Sequence, residues 1–376
     1  MAFTFSGLNF VGDVSAQAVF PPPPGYYLWS WGSGVYGRLG LGDTANRSSP
    51  VQVGSDTNWS TLSVGSGYAH HHAVKADGTL WAWGSNIDDG RLGLGDTNNR
   101  SSPVQVGALT TWLKLSSGYA APVAIKTDGT MWGWGQGASG RSGLGITADR
   151  SSPVQIGSDT NWSTIAGGAY HTLAIKTNGT LWTWGYNGGG QLGLGNVTSV
   201  SSPVQIGALT TWLSISGGYH SAAIKTDGTF WTWGYNAQGH LGLGNTTNYS
   251  SPKQIGALTN WLRVSAGYDH SAAIKTDGTM WAWGRNQNGQ VGNNSDTITS
   301  SPVQIGALTT WSSISTGWYH NLAIKTDGTL WTWGNNVSGR LGLGDTNNRS
   351  SPVQVGTLTT WLSASGNGLH SQAISN

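Results

Sequence analysis

The chain has 376 residues, a formal net charge of +2 and only 9% charged residues, with 59 glycines, 22 tryptophans, no cysteine and no glutamate. The missing cysteine excludes disulfides, thiolate metal sites and thiol catalysis, and 18 dispersed Lys and Arg exclude the basic stripe of a nucleic-acid binder. No apolar run is long enough to span a bilayer, and the scarcity of helix formers beside abundant Thr, Val, Ile, Trp and Tyr points to strands.

Residues 1–24, MAFTFSGLNFVGDVSAQAVFPPPP, contain no Lys or Arg, and polar residues interrupt their apolar ones, unlike a Sec signal peptide. Pro21 to Pro24 read as a short stiff polyproline spacer. Ahead of it, Phe3, Phe5, Leu8, Phe10, Val11, Val19 and Phe20 make the arm too apolar for a plain linker. The expectation is an N-terminal anchor arm over 1–24 and one repeat domain over 25–376.

From Gly25 onward one unit of about fifty residues recurs seven times, the period of a propeller or solenoid. Its mark is W-x-W-G, carried by Trp29 and Trp31, Trp81 and Trp83, Trp132 and Trp134, Trp182 and Trp184, Trp231 and Trp233, Trp281 and Trp283, and Trp331 and Trp333. A second series, Trp59, Trp112, Trp162, Trp212, Trp261, Trp311 and Trp361, follows about thirty residues after each first Trp and leaves only Trp318 outside the pattern. Burying one such ring removes about 150–250 Å² from water, worth on the order of 4–6 kcal/mol gross, so all of these are assigned to the blade core.

The unit beginning at Trp212 shows the internal grammar: WLSISGG, HSAAIKT, an Asp227-Gly228 turn, TFWTWG, a glycine-rich loop and SSPKQIG. Alternating runs around a D-G hairpin signal predict a four-stranded antiparallel blade. The last unit stops at Asn376, before the W-x-W-G strand, whereas the first begins at that strand. Pairing the two ends completes a seventh blade and removes the exposed edges of an open array. The expected fold is all-β, a closed seven-bladed propeller whose N-terminal strand, Tyr26 to Gly32, completes the C-terminal blade.

Several features invite a chemical reading. Gly188, Gly190 and Gly193 spell the G-x-G-x-x-G of a dinucleotide loop, yet NVTSVSSPVQIG follows with no helix to aim at a phosphate. Only the counterparts of Gly190 and Gly193 recur, as turn residues. His70, His171, His220, His270, His320 and His370 hold one position of the unit, with Ala121 as the exception. Each is expected to make the same hydrogen bond inside its own blade, because rings on separate blades are too far apart to share a metal with bonds of about 2 Å. His71 and His72 beside His70 are the exception that merits a metal assay. Asp128, Asp227, Asp277 and Asp327 belong to D-G turns, and Asp96 is expected to brace a loop by pairing with Arg100. No unique acid–base pair stands out, so no catalytic, cofactor or metal site is assigned.

The run G-x-x-H-[ST]-x-A-[IV]-K-T-D-G-T-[LMF]-W-[AT]-W-G, followed by G-[QR]-L-G-L-G, resembles the repeats of the regulator of chromosome condensation family over Gly25 to Asn376. The resemblance implies a seven-bladed propeller with strand exchange at its closure. In that family nucleotide exchange on a small GTPase is associated with an inserted hairpin and a basic tail, and neither is present here. A light-sensing plant relative uses G-W-R-H-T motifs, where this chain has Gly267-Tyr268-Asp269-His270 and Gly317-Trp318-Tyr319-His320. Neither activity is carried over.

The reading that remains is a noncatalytic interaction propeller. Its neutral Asn-, Ser- and Thr-rich surface and apolar arm are similar to those of tailed-phage virion proteins, which implies a virion-surface or extracellular location. Residues 1–24 would then bind other virion or assembly proteins, and the ring a host surface protein or glycan, with no nucleic acid and no membrane span. A bacterial protein-binding propeller acting as inhibitor or adaptor, and a carbohydrate-binding adhesin, are the alternatives.

Overall fold

Alternation along each run decides which side chains face the neighbouring sheet, and the turns decide where each run reverses. A computed structural model describes residues 25–63 and 69–376, and within them the strands, numbered β1 to β28 in chain order, form seven four-stranded antiparallel sheets. In the unit from Trp212, β15 (Trp212–Gly217), β16 (His220–Lys225), β17 (Phe230–Gly234) and β18 (Tyr249–Gln254) pair in sequence order. The β16–β17 turn is held by the Asp227 carboxylate, which accepts from the Thr229 N–H at 2.9 Å and its hydroxyl at 2.6 Å. The same bonds recur at Asp128, Asp277 and Asp327. Pro252 lies in the outermost strand, where no further strand asks for its missing N–H.

Blade 1 is β3 (Trp59–Leu62), β4 (His70–Lys75), β5 (Leu80–Gly84) and β6 (Arg100–Gln105), and blades 2 to 6 follow as β7–β10, β11–β14, β15–β18, β19–β22 and β23–β26. Blade 7 joins the two ends of the repeat region, in the order β2 (Arg47–Gln52), β1 (Tyr27–Gly32), β28 (His370–Ser375) and β27 (Trp361–Gly366). β1 and β28 stay in unbroken register from Tyr27 opposite Ser375 to Gly32 opposite His370. The first strands of the blades meet one another around the axis, and β27 meets β3 to complete the ring. The fold expected from the chain ends is the fold observed.

The hydrophobic core is divided into seven parts, one at each joint between blades. At the joint of blades 4 and 5, Ala222, Ile224 and Phe230 pack against Trp261, Val264, Ala273 and Trp283. The second tryptophan of each W-x-W-G (Trp31, Trp83, Trp134, Trp184, Trp233, Trp283 and Trp333) is 0% exposed, and Trp59, Trp112, Trp162, Trp212, Trp261, Trp311 and Trp361 are buried beside them. The first tryptophans depart from the assignment to the core. Trp29, Trp81, Trp132, Trp182, Trp231, Trp281 and Trp331 are only half-buried. They lie two residues closer to the Asp-Gly end of the same strand, where the indole N–H of Trp231 donates to the Thr229 hydroxyl at 2.9 Å. The Lys225 ammonium stands 3.7 Å above that ring, so these rings cover the core instead of filling it.

The glycine-rich loop between third and fourth strands leaves its own blade and lies on the next one. Gly193 has φ +70°, and a Cβ there would fall 2.7 Å from the indole nitrogen of Trp233 in the following blade. That indole donates to the Gln191 carbonyl at 2.9 Å, and Trp31, Trp83, Trp134, Trp184, Trp283 and Trp333 do the same to Arg340, Arg38, Arg91, Arg141, His240 and Gln290. Gly190 similarly meets Ser250 of the next blade. These glycines therefore serve the contact between blades, beyond the turn within one blade that their sequence position suggests.

Candidate functional site, an aromatic face

In a four-stranded antiparallel blade the loop between strands one and two and the loop between strands three and four open on the same end of the ring. At that end, five consecutive blades place an aromatic residue just ahead of the repeat histidine position: Tyr119, Tyr170, Tyr219, Tyr268 and Trp318. Their rings form a chain, with centroids 5.7 Å apart for Tyr119 and Tyr170, 5.5 Å for Tyr170 and Tyr219, 4.7 Å for Tyr219 and Tyr268, and 4.8 Å for Tyr268 and Trp318. Tyr119 of blade 2 then stacks on Trp318 of blade 6 at 5.8 Å and 16°. Rings from such distant blades meet only over the axis, so the cluster roofs this end of the channel.

Tyr186 and Tyr235 extend the cluster outward, edge-on to Tyr170 and Tyr219 at 6.0 and 4.9 Å, and Tyr319 joins beside Trp318 at 6.2 Å. Every one of these rings is half-buried, leaving part of its surface to solvent. Two cations sit on it: the Arg141 guanidinium 4.5 Å from the Tyr170 ring centre and that of Arg285 5.3 Å from Tyr319. Arg285 also bridges to Asp269 at 3.2 Å. Burial, reinforced by neighbouring phenols or Asp269, raises the pKa of Tyr219, Tyr268 and Tyr319 above the usual tyrosine value. They remain protonated donors at neutral pH. Exposed Val35, Tyr36, Ile87 and Val337 from the adjoining loops continue an apolar rim on the same end. Apolar area with a few polar handles is the composition of the centre of an interface.

Sequence reasoning set Trp318 aside as the odd tryptophan and did not find this site. The signal was present as an aromatic residue one or two places before the histidine position in blades 2 to 6. One-residue differences in the loops, Ala169-Tyr170-His171 against Tyr219-His220, hid their convergence, which depends on the closed ring.

The repeat histidines lie directly beneath the roof, and all are buried. The expected hydrogen bond within the same blade is corrected: the bond crosses to the next blade. His171, His220, His270 and His320 place Nε2 within 2.7–2.9 Å of Ser221 Oγ, Ser271 Oγ, Asn321 Oδ1 and Ser371 Oγ. Each of those side chains donates onward to the loop carbonyl that also receives the indole N–H, as Ser271 Oγ does to His240 O at 2.9 Å. The reason is geometric. The histidine opens the second strand of its blade, facing the counterpart strand of the next. His70 and His370 make no such bond, since their counterparts across the joint are Pro122 and His71.

Among the described residues no group of three His, Cys, Asp or Glu is arranged to hold a metal ion. The Asp96–Arg100 brace is present at 2.5 Å. The anchor residues Phe3, Phe5, Leu8, Phe10 and Phe20 lie outside the described residues.

The ring and its roofed face define a class, the closed β-propeller whose blades are fastened by W-x-W-G strands and glycine loops. The chain belongs to the RCC1-like domain family, whose sequence pattern matches residues 27–373. It is similar to the Arabidopsis thaliana ultraviolet-B receptor UVR8, 34% identical over 110 residues, which are 29% of this chain and 25% of the receptor. It is also similar to the mouse E3 ubiquitin-protein ligase HERC2, 33% identical over 114 residues, 29% of this chain and 2% of the ligase. The matched stretch thus covers only a small part of these relatives. Among solved structures, Prp20p from Saccharomyces cerevisiae aligns with a TM-score of 0.83 at 20% identity, covering 94% of this chain and 92% of that one. Human WBSCR16 aligns at 0.82 and 20% identity, covering 94% and 99%.

Proposed function

We propose that this chain is a noncatalytic propeller that engages a protein partner through its aromatic face. The carrying observation is the roof of partly exposed Tyr and Trp rings assembled from blades 2 to 6, with Arg141 and Arg285 stacked against it. Related propellers support the reading, since the yeast protein Prp20p is described as binding Gsp1p and histones. Truncating a hot-spot aromatic costs about 2 kcal/mol or more of affinity, about 30-fold. With a partner captured from the host lysate, Y268A/W318A should lose at least that much affinity, while L209D/L258D on the opposite face, where both leucines are about half exposed at 49%, should bind as the parent does. The reverse pattern would place the partner on the other face.

A finer reading sets the ring on a phage virion, anchored by residues 1–24 and touching a host protein or glycan. What supports it is the low charge, which makes contacts insensitive to salt, and the apolar arm ahead of the polyproline. Deleting residues 1–24 should abolish copurification with virions. Recovery of one stoichiometric soluble partner favours an adaptor or inhibitor role, and a blank glycan array argues against an adhesin.

A further inference from the structure

The joints between blades are not equivalent, and blade 1 is bordered by two that lack the histidine bond. At the joints from blade 3 to blade 7 a histidine Nε2 meets a Ser or Asn side chain, which donates to the loop carbonyl of the preceding blade. At the joint of blades 7 and 1, His71 occupies the serine position. His370 keeps both ring nitrogens buried without a partner among the described residues, its ring 5.9 Å from that of His71. At the joint of blades 1 and 2 the counterpart is Pro122, and among the described residues both buried nitrogens of His70 likewise have no partner. His72 stands 5.4 Å from His70 and reaches Ser117 Oγ of blade 2 at 3.1 Å.

Four imidazoles therefore converge on the two edges of one blade. Among the described residues the groups around them offer no compensating anion. His70 faces His71, His72, His370 and Arg91; His71 faces His72 and His370, with Ser63 and Asn367 each 3.5 Å from its ring nitrogens; His370 faces Arg38, Arg340 and His320. Asp89, the buried carboxylate of the blade 1 loop, is held by Arg91 at 2.5 Å. The joint of blades 7 and 1 also carries a surface groove. This groove, open to solvent and about 230 Å³ in volume, lies toward the Asp-Gly end and is bordered by Leu41, Val53, Asp56, Trp59 and Trp81.

We propose that blade 1 is an acid-released gate of the ring: on acidification its two joints open before any other. The physical reason is the number of protons each opening admits. Closed, His70 and His370 face guanidinium groups and other imidazoles, His71 faces imidazoles, and His72 faces the Leu92 and Arg91 carbonyls, all in a site sealed from water where burial makes a cation unfavourable. Releasing blade 1 hydrates His70, His71, His72 and His370 together. Releasing blade 5 at both of its joints hydrates three imidazoles, His220, His240 and His270, and first breaks the His220–Ser271 and His270–Asn321 bonds. Local opening is drawn toward the site that binds more protons. The inference is independent of the partner reading.

Hydrogen exchange of the full chain at pH 7 and pH 5, corrected for intrinsic rates, tests it. Amides of β3 to β6 should lose protection at least about tenfold more than those of β15 to β22. Uniform loss, or earlier loss in blades 4 and 5, overturns the proposal. A second variant gives blade 1 the residues of its siblings: H71S supplies the serine of blades 4, 5 and 7, and H72L the leucine of blades 3 and 6. It should remove the excess exchange of blade 1 at pH 5, and an unchanged excess overturns the assignment to these imidazoles. Should the variant fail to fold, the exchange pattern of the parent decides alone.

Discussion

Two joints of the ring, that of blades 4 and 5 and that of blades 7 and 1, are made from the same repeat and end differently. Both share the indole bond, Trp283 to His240 O at 2.9 Å and Trp83 to Arg38 O at 3.1 Å. Both press a positive-φ glycine on that indole, Gly242 and Gly40. Only the first adds the histidine and serine bonds. Packing is therefore the invariant part of a joint, and the polar network is the part that varies from blade to blade. That order fits the magnitudes, since a buried Trp contributes several kcal/mol and a net hydrogen bond about 1 kcal/mol.

Loss of the shared part should have the largest effect. W283A removes a fully buried ring and should cost about 3–5 kcal/mol by denaturant unfolding. W83A should cost a similar amount, and a loss under about 1 kcal/mol at blade 1 would show that its joint is not packed as described. Acidification comes next. Burial depresses the pKa of every histidine, to about 3 for His72 and His171 and to about 4 for His240 and His270. Because the folded values lie below the unfolded 6.5, the unfolded chain binds protons first. Stability is then fully present above that pH and falls as pH drops from about 6.5 toward 4. Each such group costs about 1.4 kcal/mol per pH unit, so several together rival a typical total of about 5–15 kcal/mol. Melting temperature against pH should fall steeply below pH 6; a flat profile down to pH 4 would contradict the burial of these rings.

Glycine substitutions then separate backbone strain from crowding. G242A places a Cβ 2.7 Å from Trp283 Nε1 at φ +73°, whereas G256A, at φ +56°, meets nothing within 4 Å. The second should cost only the left-handed strain of about 1–2 kcal/mol, and the first should exceed it measurably in the same denaturant titration. Removing the polar link by S271A should cost about 1–3 kcal/mol, by stranding His220 Nε2 in a dry site. The smallest effect belongs to D345N, in the loop pair with Arg349, which should leave the denaturant midpoint almost unchanged.

The repeat, the four-strand blade, the D-G turns and the closure between Tyr27 and Ser375 were all legible in the chain. Each depends on local alternation, turn chemistry or the phase of the repeat at the two ends, and these are properties of residue order. The direction of the histidine bonds, the half-buried state of Trp231 and its siblings, and the meeting of Tyr119 with Trp318 were not. Those depend on which atoms of one blade approach the next, a distance that repeat spacing does not encode. The sequence by itself thus determined that seven like sheets form and that the two ends of the repeat region must pair to spare an open edge. Ring closure alone decided which loops converge over the axis and which joints carry a polar network, because it brings into contact residues whose separation along the chain says nothing of their separation in space.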